Sequence, residues 1–428
     1  MSDASEAANR PEPMLLPLDA GEGEQLAAIR ALYRRYRGAG LSFQQPLERV
    51  PVGLFITLLE IGYRVALVAD GAGLALRFEP DGSSPRDRAV LGPGTAAHSV
   101  VSTSAGFVYS TTSRDRVAVI DASSRRVISH VDVGHNPQHL AVSDDHDRVY
   151  SANLDSNDVT IIATDVNTSL GTTGISAFPL LPCPDRAGRV WIPSRPTGRI
   201  DVVGSDGTVT ANIPVGVAPH DLAISPDGRW AYQPNSVSGT VTIIDAQAMR
   251  ALGEVKVGVG PCHAEFTPDS SRAYVTNTVS NEISVFDTGT HEVVATIAGG
   301  RGPHVPAIDE QGRCGYVANF VSDDITVFDV ATSAVAAVVP VGTYPHAMSL
   351  SPDGRTLVVS NTGTSTVSLL DTATQRVRAT LEVGGAPAHA AFDPDGRLAF
   401  VACEVDDRVA VLDLDRDQVI ERIAVGLG

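Results

Sequence analysis

Lysine and aromatic residues are scarce in this 428-residue sequence. Lys256 is the single lysine, and Phe, Trp and Tyr together make up 5% of the chain. Because Lys256 falls in the strand-like segment GEVKVG, Schiff-base and pyridoxal chemistry can be set aside. Basic residues are also outnumbered by acidic ones, 32 to 50, which gives a formal net charge of −18. A nucleic acid would therefore be repelled, and none is expected as a partner.

Long apolar runs and paired cysteines are missing as well. No stretch of 18 apolar residues occurs, and the N-terminal segment lacks the basic and apolar regions of a secretory signal. The four cysteines (Cys183, Cys262, Cys314 and Cys403) are far apart and form no CxxC pair, which is typical of reduced thiols. We therefore expect a cytoplasmic protein without a membrane partner.

An internal repeat organises most of the chain. The phrase VGVAPHDLAISPDGRWAYQPN recurs as VGTYPHAMSLSPDGRTLVVSN and, more loosely, as VGGAPAHAAFDPDGRLAFVAC. Successive copies are 39 to 43 residues apart when each is anchored on the residue that opens its first apolar run. Eight units result, and their anchors are His98, His139, Phe178, His220, His263, His304, His346 and His389.

Each unit contains four short segments with strand-like alternation, separated by turn residues such as Pro352-Asp353-Gly354. Four strands in a repeat of about 40 residues are typical of a propeller blade, because one small sheet must bury its faces against its neighbours. The sequence therefore predicts an all-β fold, an eight-bladed β-propeller of four-stranded antiparallel blades with a small N-terminal α+β extension. An aspartate that ends most third strands is predicted to fix the following turn.

Two units carry a recognisable motif, Tyr274-Val275-Thr276-Asn277 and Tyr316-Val317-Ala318-Asn319. With the SPDGR turns, they make roughly residues 95 to 428 resemble the YVTN family of β-propellers. That family includes enzymes, haem-binding proteins and binding scaffolds, so the resemblance implies a fold rather than one activity. The count of eight blades is similar to the haem d1 domain of cytochrome cd1 nitrite reductase in architecture.

The segment before the repeats divides into three predicted parts. Residues 1–22 are expected to be flexible, and residues 23–80 to form a small helix–helix–hairpin module. Its helices, within residues 24–62, offer a surface for a protein partner. Residues 81–94 form a linker or a strand that closes the ring, and residues 95–428 form the propeller.

Seven of the eight units open on histidine. Because the first strand of a blade lines the central channel, we expect these side chains to form a histidine collar at one mouth. Imidazole is a common ligand of copper, iron and zinc, so the collar is a candidate site for a transition metal, with copper or iron favoured, or for haem. The histidine collar comprises His98, His139, His220, His263, His304, His346 and His389.

A structural role for these histidines is the alternative, since a repeated imidazole can simply tie neighbouring blades together by hydrogen bonds. Asp221, Cys262 and Glu265 lie close to collar histidines in sequence and are candidates to support or join them as ligands. Acidic groups in the loops near the mouth are interpreted as solvated charge by default, although they could attract a cation. These are Asp155, Asp158, Glu282, Asp323, Asp324, Glu404, Asp406 and Asp407.

The third unit departs from the pattern. It opens on Phe178 and carries Arg195 and Arg199 where other units have polar loop residues. Either the blade has drifted, or the missing imidazole opens the collar and these three residues form the approach for an apolar or anionic ligand.

Three functions are compatible with these observations. The first is a metal- or haem-dependent enzyme, redox in character, with a small-molecule or peptide substrate at the channel mouth. The second is a non-catalytic scaffold that binds a partner protein or peptide and needs no cofactor. The third is a lyase or lactonase that depends on a divalent metal. No Ser-His-Asp order, nucleotide-binding glycine motif or HExxH sequence supports other classes.

Overall fold

In the computed structural model, residues 97–426 are described in full, and three strands nearer the N-terminus are described by their backbone. These strands are β1 (Phe43–Pro46), β2 (Tyr63–Asp70) and β3 (Gly73–Pro80). They form one antiparallel sheet in the order β1-β3-β2, and β2 and β3 pair as the hairpin that the sequence predicts. The two predicted helices and the segment 81–94 lie outside the described residues.

The remaining strands form eight four-stranded antiparallel sheets, which we call blades one to eight in chain order. Blades one to four comprise β4 (Val100–Ser102), β5 (Phe107–Thr111), β6 (Arg116–Asp121) and β7 (Arg126–Asp132); β8 (Pro137–Val142), β9 (Arg148–Asn153), β10 (Asp158–Ala163) and β11 (Thr168–Gly174); β12 (Cys183–Pro184), β13 (Val190–Ser194), β14 (Arg199–Val203) and β15 (Val209–Pro214); β16 (Ala223–Ile224), β17 (Trp230–Asn235), β18 (Thr240–Asp245) and β19 (Arg250–Lys256).

Blades five to eight repeat this arrangement with a longer first strand than in blades three and four. They comprise β20 (Pro261–Phe266), β21 (Arg272–Asn277), β22 (Glu282–Asp287) and β23 (Glu292–Ala298); β24 (Pro303–Ile308), β25 (Cys314–Asn319), β26 (Asp324–Asp329) and β27 (Ala334–Pro340); β28 (Pro345–Leu350), β29 (Thr356–Asn361), β30 (Thr366–Asp371) and β31 (Arg376–Glu382); β32 (Pro387–Phe392), β33 (Leu398–Cys403), β34 (Arg408–Asp413) and β35 (Gln418–Ala424).

The eight-bladed propeller predicted from the repeat is confirmed, and the described part of the chain contains no helix. The second and third strands of each blade are buried almost throughout, because both faces of a blade pack against neighbours. The fourth strands alternate between exposed and half-buried residues, as expected of an outer edge. First strands of adjacent blades contact each other and therefore lie innermost.

The core consists of separate apolar clusters, one at each of the eight junctions between blades. The junction between blades eight and one is built in the same way, for example from Phe400 and Val108. Among the described residues, every blade is made of four consecutive strands, so packing rather than strand exchange closes this part of the ring.

The predicted structural role of the third-strand aspartates is confirmed. In each case the carboxylate accepts a hydrogen bond from the amide three residues later. The residues concerned are Asp121, Asp245, Asp287, Asp329, Asp371 and Asp413. No helix in the described residues is long and apolar enough to span a membrane.

Candidate functional site

A proline turn precedes the first strand in seven of the blades, and in blades two, five, six, seven and eight the proline is the first residue of that strand. The residue before the proline has a left-handed backbone, with φ between 52° and 70°, as at Ala218, Gly260 and Gly302. Its carbonyl accepts a hydrogen bond from the residue that follows the second strand in most of these blades, as Gly302 does from Phe320. The turn therefore holds the start of the first strand beside the loop after the second strand.

The collar histidines occupy two different positions after this proline. In blades four, six and seven the histidine follows it directly, as His304 follows Pro303, whereas in blades two, five and eight it comes one residue later, as His263 after Pro261. The pairing of the first strand with the second shifts register at this point in blades two, five, six, seven and eight. The shift occurs in blades with either histidine position, and imidazoles from both positions meet in one collar.

The collar is divided into two clusters. Cluster A contains His98, His139 and His389, from blades one, two and eight, and cluster B contains His220, His263 and His304, from blades four, five and six. Within each cluster, one ligand nitrogen from every imidazole lies within 4.8 Å of the others. The ring centroids are 5.2–6.2 Å apart in cluster A and 4.4–6.0 Å apart in cluster B.

Each cluster has one carboxylate next to an imidazole Nδ1. In cluster A, Oε1 of Glu404 lies 2.5 Å from Nδ1 of His98. In cluster B, Oδ2 of Asp221 lies 3.3 Å from Nδ1 of His263 and 3.8 Å from Nδ1 of His220. A carboxylate in this place fixes the tautomer and leaves Nε2 of the imidazole free to act as a ligand.

His346 lies between the two clusters. Its ring centroid is 5.2 Å from that of His304 and 6.5 Å from that of His98. Phe320 contacts the ring of His304 edge-on at 5.1 Å, and Tyr344 lies parallel to His346 at 6.3 Å. These two aromatic rings pack against each other and form an apolar wall on this side of the collar.

Burial keeps several collar imidazoles neutral. It lowers the pKa of His139 and of His263 well below the ordinary value, and the charge that neighbouring imidazoles would carry adds to this effect. The pKa of His389 falls to about 3 for the same two reasons. Neutral imidazole is the form that binds metal, so these three side chains need not lose a proton at neutral pH.

Of the supporting residues predicted from the sequence, Asp221 joins the site and Cys262 does not. Cys262 is fully buried, donates toward the Gly260 carbonyl and accepts a hydrogen bond from Thr278, so its thiol belongs to the loop packing. Glu265 lies on the innermost strand two residues after His263, and burial raises its pKa to about 7. The carboxylate is therefore half protonated near neutral pH.

The cysteines as a group remain free thiols, and all four lie in the described part of the chain. Burial raises the pKa of Cys183 and of Cys403 to about 12, which keeps both protonated at neutral pH. Neither candidate cluster among the described residues includes a thiol ligand.

The anchor of the third blade, Phe178, lies two or three residues before the positions equivalent to the collar histidines. Phe178 has the left-handed backbone that precedes the proline, with φ of 57°, and its amide donates to Asn157 as that of Tyr344 does to Asp323. The positions equivalent to the collar histidines hold Leu180 and Leu181. Blade three therefore does lack an imidazole, but Phe178 does not replace it.

The two arginines of the third blade lie at different places. Arg195 follows the second strand of its blade, the position that Glu404 has in blade eight, and is half-buried. Arg199 begins β14 and is exposed. Of the two, Arg195 has the position from which a side chain can reach the collar, as Glu404 does in blade eight.

Sequence analysis treated Glu404 as a solvated loop charge, which is wrong. The side chain is buried, with 7% of its surface exposed, and it contacts His98, a residue 306 positions away. Phe320 and Tyr344 were not identified as site residues. Their place in the repeat was the available signal, since one follows the second strand and the other precedes the proline turn.

Sequence comparison identifies the family of the chain. Residues 197–428 match the YNCE-like β-propeller family, and because this match covers more than half of the sequence, the chain belongs to that family. A comparison with curated proteins found no match.

Several solved structures are similar in fold. The dihydro-heme d1 dehydrogenase NirN, solved in complex with DHE, aligns with a TM-score of 0.63 and 15% identity over 76% of this chain and 73% of that one. Hydrazine synthase of Kuenenia stuttgartiensis aligns with a TM-score of 0.54 and 18% identity, over 75% of this chain and 96% of that one. A putative 6-phosphogluconolactonase of Bacteroides fragilis aligns with a TM-score of 0.52 and 20% identity, over 66% of this chain and 92% of that one. At these identities the likeness concerns the propeller fold alone.

Proposed function

We propose that this member of the YNCE-like β-propeller family is a transition-metal-dependent oxidoreductase whose site is the histidine collar. The observation that carries the proposal is the grouping of six imidazoles into two compact clusters, each with a carboxylate on one Nδ1. Histidines that only tied blades together would be expected to bond to the backbone of the neighbouring blade. In this collar His304 makes such a contact, from Nδ1 to the His346 carbonyl, whereas His98, His220 and His263 contact carboxylates and His263 also contacts His304 through Nε2.

The chemistry of the donor set fits a transition-metal ion. Nε2 of His263 lies 3.2 Å from Nε2 of His304. Two nitrogen ligands of one tetrahedral ion are about 3.3 Å apart when each bond is about 2.0 Å long. Imidazole sets of this kind suit copper, iron and zinc, and copper or iron would supply one-electron redox chemistry when bound.

The chain's own residues have three roles in this proposal. The cluster imidazoles hold the ion in their neutral form. Glu404 and Asp221 orient His98 and His263 through Nδ1 and increase their basicity. Phe320 and Tyr344 provide an apolar wall beside the collar, against which the apolar part of a small-molecule or peptide substrate can pack at the channel mouth.

Haem fits this level of the channel less well than single ions. Although one structural neighbour acts on a d1-type haem by its name, the collar imidazoles here pack against one another at 4.4–6.2 Å within each cluster. Such close contacts leave no gap inside a cluster for a macrocycle. A lactonase reaction, suggested by the name of another neighbour, is also disfavoured because both carboxylates contact imidazoles.

The test is redox cycling of copper in the collar. The full-length protein is treated with chelator, loaded with Cu²⁺ and desalted, and its copper content and electron paramagnetic resonance spectrum are recorded. We expect retained copper with nitrogen hyperfine structure, a signal that ascorbate removes and air restores. His263→Ala should lose retained copper at cluster B, whereas His135→Ala, at an exposed histidine outside the collar, should not.

Two results would contradict the proposal. One is a wild-type protein that retains no copper, iron or zinc after desalting, with collar variants that differ only in melting temperature. The other is retained copper that ascorbate cannot reduce. The first result would favour the scaffold function and the second a non-redox metal site.

A further inference from the structure

We propose that the collar holds two metal ions, one in cluster A and one in cluster B, rather than one ion or a single site shared by all seven histidines. This inference rests on the proposed metal-binding function and specifies how many ions the site takes. It also assigns the role of each collar histidine, which the sequence repeat leaves open.

Each cluster is a complete ligand set by itself. Three imidazoles are the protein ligands of several catalytic metal sites, and they leave a fourth position open for a substrate or water. Cluster A and cluster B each contribute three ligand nitrogens that lie within 4.8 Å of one another. Neither cluster needs a residue of the other to complete a tetrahedral site.

Each cluster also has its own supporting charge. Glu404 lies against His98 of cluster A, and Asp221 lies against His263 and His220 of cluster B. One carboxylate for each divalent ion offsets part of the charge that two cations in one collar would concentrate. If the collar held one ion, only one of the two carboxylates would offset the charge of a metal. The other would contact a half-buried imidazole that binds none.

The two clusters are kept apart by the blades between them. On one side, blade three has Leu180 and Leu181 at the positions of the collar histidines, so the series of imidazoles is interrupted. On the other side, blade seven contributes His346, whose ring lies 5.2 Å from His304 and 6.5 Å from His98. His346 is thus adjacent to both clusters, but its ring nitrogens belong to neither group of three ligand nitrogens.

The experiment measures bound copper per chain. The full-length protein is stripped with chelator, titrated with Cu²⁺ in the presence of a weak competing chelator, desalted and analysed for copper by mass spectrometry. We expect two ions per chain for the wild type. His139→Ala/His389→Ala should retain one, His220→Ala/His263→Ala should retain one, and the combination of all four substitutions should retain none.

The matched control is His130→Ala/His135→Ala, which removes two histidines outside the collar and should still retain two ions. Milder variants test the same point if a double alanine variant does not fold. Glu404→Gln and Asp221→Asn keep every imidazole. Each should lower the affinity for one of the two ions by about 10–100-fold and leave the affinity for the other unchanged.

The outcomes separate this inference from the proposed function. One copper per wild-type chain, or loss of all copper on substitution in either cluster alone, would overturn the two-ion assignment and leave a metal-binding collar standing. A wild-type protein that retains no copper, iron or zinc would overturn the proposed function together with it.

Discussion

At Gly315, the packing of a neighbouring ring leaves no space for a side chain. Gly315 lies in β25 directly opposite Phe328 on β26, and a methyl group at Gly315 would collide with the Phe328 ring. The positions equivalent to Gly315 in blades four, five and eight hold Ala231, Ala273 and Ala399. In blade six the Phe328 ring occupies the space of a side chain at Gly315, whereas blade five holds Ala273 opposite the equivalent Phe286.

Substituting Gly315 by alanine should destabilise the protein. We expect Gly315→Ala to reduce the free energy of unfolding by about 1–3 kcal/mol, since the ring must leave its preferred position in a packed core. Gly253→Ala is the control, because an added methyl group there meets nothing within 4 Å. Denaturant unfolding monitored by circular dichroism measures both, and equal effects would contradict this explanation.

At the scale of elements, the loop between the second and third strands bonds to the following blade in blades one, two, five and six. A side chain in this loop accepts a hydrogen bond from the amide of the residue before the next blade's proline. Each of these bonds is 2.8 Å long, and the pairs are Asp115 with Asn136, Asn157 with Phe178, Asn281 with Gly302, and Asp323 with Tyr344. Several acidic loop residues are thus structural acceptors rather than free surface charge.

Removal of one acceptor should loosen a single blade junction. Asp323→Ala is expected to cost about 1–2 kcal/mol of stability and to speed hydrogen exchange at the Tyr344 amide, because that donor loses its partner and because alanine is disfavoured at the left-handed backbone of residue 323, with φ of 60°. Asp323→Asn should restore most of both, since Asn157 and Asn281 perform the same role in other blades. If Asp323→Asn were as damaging as Asp323→Ala, the negative charge rather than the hydrogen bond would be responsible.

At the scale of the whole molecule, the ring concentrates buried titratable groups around its axis. His139, His263 and His389 have lowered pKa values there, and Glu265 has a raised one. Unfolding would return all four to water. The two kinds of group therefore make the stability of the metal-free protein depend on pH in opposite directions.

The histidine contribution should dominate between pH 6.5 and pH 4.5. In that range an unfolded imidazole binds a proton that the folded one refuses, so stability falls as pH falls, by up to about 1.4 kcal/mol per pH unit for each group. Folded Glu265, with its pKa of about 7, binds a proton that the unfolded carboxyl releases above about 4.5, so it opposes the fall.

Chemical denaturation of chelator-treated protein across this range measures the balance. We expect the wild type to lose stability toward pH 4.5, His389→Gln to lose less, and Glu265→Gln to lose more. Identical slopes for all three proteins would mean that neither group changes its pKa on folding.

The sequence by itself determined the propeller and the number of its blades. A period of about 40 residues with four strand-like segments leaves few ways to bury both faces of each sheet, and that local regularity can be counted along the chain. It also identified the seven collar histidines and Asp221, because each stands at or beside a repeated position.

Only the tertiary structure decided how those histidines are grouped. The missing histidine of blade three is visible in the sequence, but division into clusters A and B depends on the distances between imidazole nitrogens across the ring, which a linear repeat does not show. The burial of Glu404 against His98 joins the last blade to the first across 306 residues. Such contacts form only when the whole ring closes. They therefore cannot be predicted from the local sequence pattern.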